Sequence, residues 1–328
     1  VLKIVLKIVL KIVLKIVLKI VLKIVLNILL IMETYTPILF NVEDDIYWKD
    51  YLDKYGFVVI KDVLDDKSYT ELLEQFYYDW NTVTPKFNFK DKTTWTYENS
   101  PMAWDIGMIT GYGLGHSKFQ WGLRTQPDIL DIWKRLHDTE DLVVSYDGFS
   151  VFFSPEQQSD VWLHVDQNPK DTLYSIQGAY NFFPVNEDDA GFIVVPGSHK
   201  TFNVDVDECY KFIPADPRDY HVDYAVKLLI PNNCFVLWNS KTLHANTGMS
   251  YTKDKEFNRL TSYISYFPKI QRPEHILQKR IYGYHNVVNC GHYAIDYNPK
   301  KKTDERFNTI LPTYDKNGII PKFIYELI

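Results

Sequence analysis

The sequence has almost no cysteine, no long uninterrupted apolar run and no block of basic residues, and each shortage removes a class of function. Its three cysteines in 328 residues, Cys209, Cys234 and Cys290, form no CxxC pair. An odd count without that spacing supplies neither a disulfide framework nor a zinc signature, and it fits a reduced compartment. We therefore expect an intracellular, cytoplasmic setting. No stretch reaches the roughly 18 consecutive apolar residues that a membrane helix needs. The Lys300-Lys301-Lys302 run reads as a solvated face. Phosphate binding needs clustered Lys and Arg, so nucleic acid is not expected as a partner.

The strongest compositional bias is amino-terminal. Residues 1–31 are VLKI six times over, then VLNI and LLI, ending before Met32. Six lysines and no acid lie there, so the remaining 297 residues carry a net charge of −12 where the whole chain carries −6. The repeat is too often interrupted by Lys for a membrane span and lacks the layout of a signal peptide. It reads as translated tandem-repeat sequence outside the fold. The alternative is an amphipathic helix with a lysine face, which alone would bring in a membrane surface. The body, with an ordinary hydrophobic content, is long enough to bury a sizeable core and reads as a single domain, 32–328.

The body opens with helical signals and continues with strand signals. Phe57 to Ile60 forms a short β-rich run. After Asp65 and Asp66, Tyr69, Leu72, Leu73, Phe76, Tyr77 and Trp80 recur at helical spacing on one face. Residues 127–137 give a second such face through Ile129, Ile132, Trp133 and Leu136. Residues 85–125 are aromatic and punctuated by Gly with little period, as expected of a long loop or lid. The Gly111, Gly113 and Gly115 spacing lacks the strand-to-helix context of a dinucleotide site. From Asp141 onward, β-rich runs fall at 142–154, 160–166, 172–184, 191–196, 225–230, 234–238 and 259–267, separated by turn residues. This order predicts an α+β chain, mainly β: a sandwich or jelly roll with flanking helices.

Candidate chemistry is concentrated in these strands. In VWLHVDQ (161–167), His164 and Asp166 are two apart, so both project from one side of a strand. An imidazole beside a carboxylate is two-thirds of a 2-His-1-carboxylate metal site, which leaves positions open for a chelating co-substrate and O2. Such a pair is also common as a simple hydrogen bond. Further on, CFVLWNSKTLHAN (234–246) is a strand leading to a turn that presents His244. NRLTSY (258–263) then starts a strand with Arg259, and Thr261 and Tyr263 share its face. A guanidinium is a natural fork for a buried carboxylate.

In this order the motifs resemble the phytanoyl-CoA dioxygenase-like branch of the iron(II)/2-oxoglutarate-dependent oxygenases. The resemblance covers most of 50–268: the YGFVVIKDVL opening, the WLHVDQ strand, the DDAGFIVVPGSHK segment and the LWNSKTLHAN-to-NRLTSY stretch. GFIVVPGSH (191–199) is the most family-specific string. The resemblance implies a double-stranded β-helix, Fe(II) held by His164, Asp166 and His244, and Arg259 paired with the distal carboxylate of 2-oxoglutarate, assisted by Thr261. It places Tyr180 and Asn246 near the co-substrate. It implies an enzyme that uses O2 and 2-oxoglutarate, gives succinate and CO2, and oxidises an unidentified small molecule or side group. Asp166 is the carboxylate that halogenating relatives lack, so hydroxylation is implied over halogenation.

Two other readings remain: a catalytically silent jelly-roll binding module, and a cupin-type metalloenzyme that uses no keto acid. An intact ligand set with Arg259 argues against the first, and Arg259 discriminates against the second. His199 reads as a turn residue, and Trp162 and Trp238 read as core. His137, His221, His275, His285 and His292 read as surface or core. His116 could line a mouth, and Arg124 could either greet an acidic substrate or serve as a structural ion pair. The segment 153–159 lacks the basic residue and Pro-Gly of many relatives. Residues after about 270 have no counterpart, so substrate choice is expected to lie there and in 85–125.

Overall fold

The computed structural model describes Val13 and residues 33–158, 162–300 and 305–328. The 1–31 repeat apart from Val13, the start at Met32, the first residues of the 160–166 run, and Lys301 and Lys302 lie outside the described residues. Tyr35–Ile328 forms one compact unit, and Val1–Thr34 is assigned to a second. No helix among the described residues is long and apolar enough to cross a membrane.

The unit is built on two mostly antiparallel sheets. One, here the histidine sheet, runs in the order Val226–Leu228, Gly191–Val194, His244–Thr247, His164–Val165, Ile213–Pro214. The other, the arginine sheet, runs Leu39–Phe40, Phe57–Ile60, Cys234–Asn239, Ile176–Asn181, Arg259–Tyr263, Phe149–Phe152, Met108–Ile109. Most neighbouring strands in these lists are not consecutive in the chain, which passes repeatedly from one sheet to the other. The strand runs expected from the sequence are present: 142–154 and 259–267 each divide in two, 234–238 extends by one residue to Asn239, and the others are shorter.

The alternation of side chains explains why the arginine sheet is buried on both faces. In Phe57–Ile60, Phe57 and Val59 join an inner core, and Val58 and Ile60 an outer one. In Cys234–Asn239, Cys234, Val236 and Trp238 point inward while Phe235 and Leu237 point outward. Phe192, Val194 and Leu228 of the histidine sheet complete the inner core. Helices cover the outer face. Asp66–Val83 presents Leu72, Phe76 and Trp80 to it, and Pro127–His137 presents Ile129, Ile132 and Trp133. The first of these begins where Asp65 accepts a hydrogen bond from the Ser68 N–H at 2.7 Å, a cap that contributes about 1 kcal/mol. Trp133 lies so close to the sheet that a Cβ on Gly178 would come within 2.7 Å of its ring.

The segment 85–125 is more structured than its composition suggested. It carries 3-10 turns, a helix at Lys118–Arg124 and the edge strand Met108–Ile109. Seven residues are too few to show a helical period, and the helix is fixed instead by Ser117, which accepts from the Gln120 N–H at 3.2 Å, and by burial of Phe119, Trp121 and Leu123. Helices at Asp45–Tyr55 and Glu274–His285 were also not read from the sequence. His244 opens a strand, where the sequence reading ended one before it.

Candidate metal centre

His164, Asp166 and His244 meet at one end of the space between the sheets. The backbones of His164 and His244 are direct partners across the histidine sheet, and Asp166, two residues beyond His164, returns to the same side. One ligand-type atom from each of the three lies within 4.8 Å of the others. Nε2 of His244 is 3.3 Å from Asp166 Oδ2, and Nε2 of His164 is 3.8 Å from Oδ1.

The tautomers follow from the neighbours. Nδ1 of His164 donates to the Trp162 carbonyl at 2.9 Å, and Nδ1 of His244 donates to the Thr242 carbonyl at 2.8 Å. A carbonyl only accepts, so Nδ1 carries a proton in both rings and Nε2 is the atom turned to the site. Burial, reinforced by His164 beside it, lowers the pKa of His244 and keeps that ring neutral. Burial alone would raise the Asp166 carboxyl, but the two imidazoles outweigh it and hold the group well below the usual carboxylate range. Two imidazole Nε2 atoms and an ionised carboxylate thus converge, and a bound cation would take the place of the Nε2 protons that the carboxylate attracts. That donor set suits a divalent cation, and the second nitrogen of each ring is already fixed by the backbone, as in metal-ligating histidines.

The carboxylate is itself held. Gln177 Nε2 donates to Asp166 Oδ2 at 3.0 Å, the Asp166 N–H donates to the Ser240 carbonyl at 2.9 Å, and the Tyr293 hydroxyl donates to the Asp166 carbonyl at 2.9 Å. Gln177 was not singled out from sequence. It shares the inner face of Ile176–Asn181 with Ala179 and Asn181, and a polar residue at an inward position was the available signal.

Arg259 enters from the arginine sheet and is 2% exposed. Its Nε donates to Thr261 Oγ1 at 3.1 Å, one terminal nitrogen to Asn246 Oδ1 at 2.9 Å, and the other to the Gly191 carbonyl. Thr261 in turn donates to Asn181 Oδ1 at 3.1 Å, and Asn246 Nδ2 donates to the Tyr263 hydroxyl at 2.8 Å. All the described partners of Arg259 are neutral. Burial lowers its pKa, with the Tyr263 hydroxyl partly offsetting. A charged guanidinium fixed by neutral oxygens retains N–H donors and net charge for an anionic guest.

A cavity of about 330 Å³ lies against the triad and is lined by Trp162, Phe192, Phe212 and Tyr263, by Asp147, and by Gly291, His292 and Lys300. Asn246 and Tyr263 reach both this cavity and the Arg259 network.

No family model matches the chain. "Ava biosynthesis cluster protein O" of Aspergillus versicolor is 28% identical over 273 residues, covering 75% of this chain and 85% of that protein. "Putative phytanoyl-CoA dioxygenase" of Dictyostelium discoideum is 22% identical over 271 residues, covering 67% and 74%. The family resemblance holds. Among solved structures, the epimerase SnoN in complex with Fe3+, alpha ketoglutarate and nogalamycin RO aligns with a TM-score of 0.49 at 15% identity over 81% of this chain and 98% of that one.

Of the residues that the phytanoyl-CoA dioxygenase-like resemblance singled out, the structure brings together His164, Asp166 and His244, and separately Arg259, Thr261 and Asn246. Tyr180 it places elsewhere. That side chain lies in the outer core against Phe182, its ring centroid 4.7 Å away, and its hydroxyl donates to Asn233 at 2.6 Å. Strand alternation is the reason: Ala179 and Asn181 face inward, so Tyr180 cannot. His116 is also core, bonded to the Val288 carbonyl and packed on Tyr146, rather than at a mouth. Arg124 is fully buried and donates to the carbonyls of Gly115 and Asp147, which makes it structural. His199 bonds the Asp53 carbonyl. Trp162 and Trp238 both reach the cavity, Trp162 stacked on His164 with centroids 4.5 Å apart, and His292 lines it as well. Ile106, Met108, Gly291, His292 and Lys300 contribute to the same lining, in the two regions where the sequence had been least informative.

Proposed function

We propose that this protein is an Fe(II)/2-oxoglutarate-dependent dioxygenase that hydroxylates a small-molecule substrate on a single domain, 32–328, with the double-stranded β-helix (jelly-roll) fold. The observation that carries this reading is the convergence of two imidazole Nε2 atoms and the Asp166 carboxylate, with an uncompensated guanidinium supplied from the facing sheet. The sequence relative named as a phytanoyl-CoA dioxygenase supports it. His164, Asp166 and His244 would hold the iron. Arg259, with Thr261 and Asn246, would receive the distal carboxylate of 2-oxoglutarate. When bound, Fe(II), 2-oxoglutarate and O2 supply an oxidation coupled to formation of succinate and CO2.

The chain's own residues have three tasks. The Trp162 and Thr242 carbonyls fix both imidazole tautomers. Gln177 donates to Asp166 Oδ2 and so would hold the carboxylate in orientation for the metal. Aromatic side chains around the cavity exclude water from the open positions.

An anaerobic titration of the protein with Fe(II) and 2-oxoglutarate tests the reading, with the weak visible charge-transfer band of the chelate as the signal. A band that needs both components and vanishes in His164→Ala is expected. A folded protein that gives no band would overturn the proposal in favour of the silent module.

A further inference from the structure

The cavity beside the triad has an apolar side and a polar side. On the apolar side, the Phe212 ring lies 4.7 Å from that of His164 and 6.4 Å from that of Trp162. On the polar side lie Asp147 and His292. These two come from segments distant in sequence that are joined by a bridge between Tyr146 and Gly291, where the Cys290 N–H donates to the Tyr146 carbonyl at 2.8 Å. The neighbouring Gly148 lets the Ile109 carbonyl approach so closely that any Cβ there would collide with it, which brings the 106–109 segment onto the same wall.

Asp147 is a half-buried carboxylate with little to neutralise it. Its Oδ1 accepts from the Gly148 N–H at 2.9 Å. Among the described residues no cation lies within ion-pair distance of it. Lys300 is an exposed member of the cavity lining, and both terminal nitrogens of Arg124 donate to carbonyls. Burial accordingly raises the Asp147 carboxyl, with Lys300 opposing. His292 has its Nε2 sealed from solvent without a hydrogen-bond partner among the described residues, and its ring packs 4.1 Å from that of Tyr293. An enclosed polar atom that lacks a hydrogen-bond partner is a costly arrangement unless a ligand completes it.

We propose that Asp147 and His292 anchor the polar end of the substrate, and that this site takes a neutral, ring-bearing small molecule through an O–H or N–H donor, with the ring against Trp162 and Phe212. The inference rests on the oxygenase reading for what happens to the bound molecule, but not for the binding itself. A donor aimed at Asp147 would complete its hydrogen bonding. An anion would meet the same carboxylate unfavourably, and an aromatic without a donor would leave it unpaired.

The test uses the full chain, with and without Fe(II) and 2-oxoglutarate under anaerobic conditions, and three naphthalene probes: 2-naphthol, 2-methoxynaphthalene and 2-naphthoate. Binding is read by ligand-observed NMR, and the charge-transfer band is read in parallel. We expect 2-naphthol to bind at least about tenfold more tightly than either of the others, since a site built for a donor discriminates strongly against its absence. Asp147→Ala should shrink that advantage to below about threefold while leaving the chelate band in place. His292→Phe, which keeps a ring to pack on Tyr293, should reduce it in the same direction. Equal binding of the three probes, preference for 2-naphthoate, no binding at all, or an unchanged preference in Asp147→Ala would each overturn the assignment. A preference for 2-naphthol without any chelate band would retain the site and remove the oxygenase reading, so the two failures are distinguishable.

Discussion

Buried arginines mark two regions of this protein, and the way each is satisfied separates scaffold from site. In the outer core, Arg280 donates to the Ile328 and Val144 carbonyls with its guanidinium 4.0 Å from the centre of the Tyr146 ring, and Arg124 donates to the Gly115 and Asp147 carbonyls over Trp121. These are backbone ties: they join segments that no helix or sheet hydrogen bond connects. Between the sheets, Arg259 is fixed by side-chain oxygens of Asn246 and Thr261 as well as by one carbonyl, in a network that runs on to Tyr263 and Asn181 at the edge of a cavity. The same residue type, equally buried, closes a core in one place and presents charge in the other. Its partners, rather than its burial, distinguish the two roles.

That contrast can be broken at several points. The largest effect is expected at the triad: His244→Ala should weaken Fe(II) binding by more than about a hundredfold, since even residues outside the ligand set cost ten- to hundredfold, and isothermal titration with the metal would read it. Arg280→Met should lower stability by about 3 kcal/mol, because two buried carbonyls lose their donor, and leave 2-oxoglutarate affinity unchanged. Denaturant unfolding and a chelate titration on one sample check both halves. Arg259→Ala should reverse the pattern, with 2-oxoglutarate affinity falling about thirtyfold or more and metal affinity nearly preserved. If Arg259→Ala lost stability alone, the distinction between the two regions would fail. Gln177→Leu should weaken Fe(II) about tenfold, with Gln177→Glu an unsuitable rescue because it places a second carboxylate beside Asp166. The smallest effect belongs to Tyr180→Phe, which removes one hydrogen bond to Asn233 and should cost about 1 kcal/mol with no change in the chelate band.

The two regions also differ in how far they could be read before folding. His164 and Asp166 were legible as a pair because a strand's alternation is local: two residues apart means one side. Tyr180, placed near the co-substrate by the resemblance alone, is turned away by the same rule, because its neighbours Ala179 and Asn181 hold the inward positions. The helix with Phe76 and Trp80 was legible from its period, whereas Lys118–Arg124 was too short to have one. His292 and Asp147 carried no local signal that set them apart from other polar residues, and Gln177 carried only its inward position in a strand.

The sequence by itself determined the strand runs and the helices Asp66–Val83 and Pro127–His137, the alternation that buries both faces of the arginine sheet, and the residue types that a metal and a dicarboxylate would require, because periodicity and side-chain chemistry act within a few residues. Tertiary structure alone decided that His164 and His244, eighty residues apart, stand opposite each other across one sheet. It also decided that Arg259 finds only neutral partners, and that a bridge between Tyr146 and Gly291 sets Asp147 and His292 at the cavity. Those are outcomes of strand register and close packing between distant segments, which no short stretch of chain encodes.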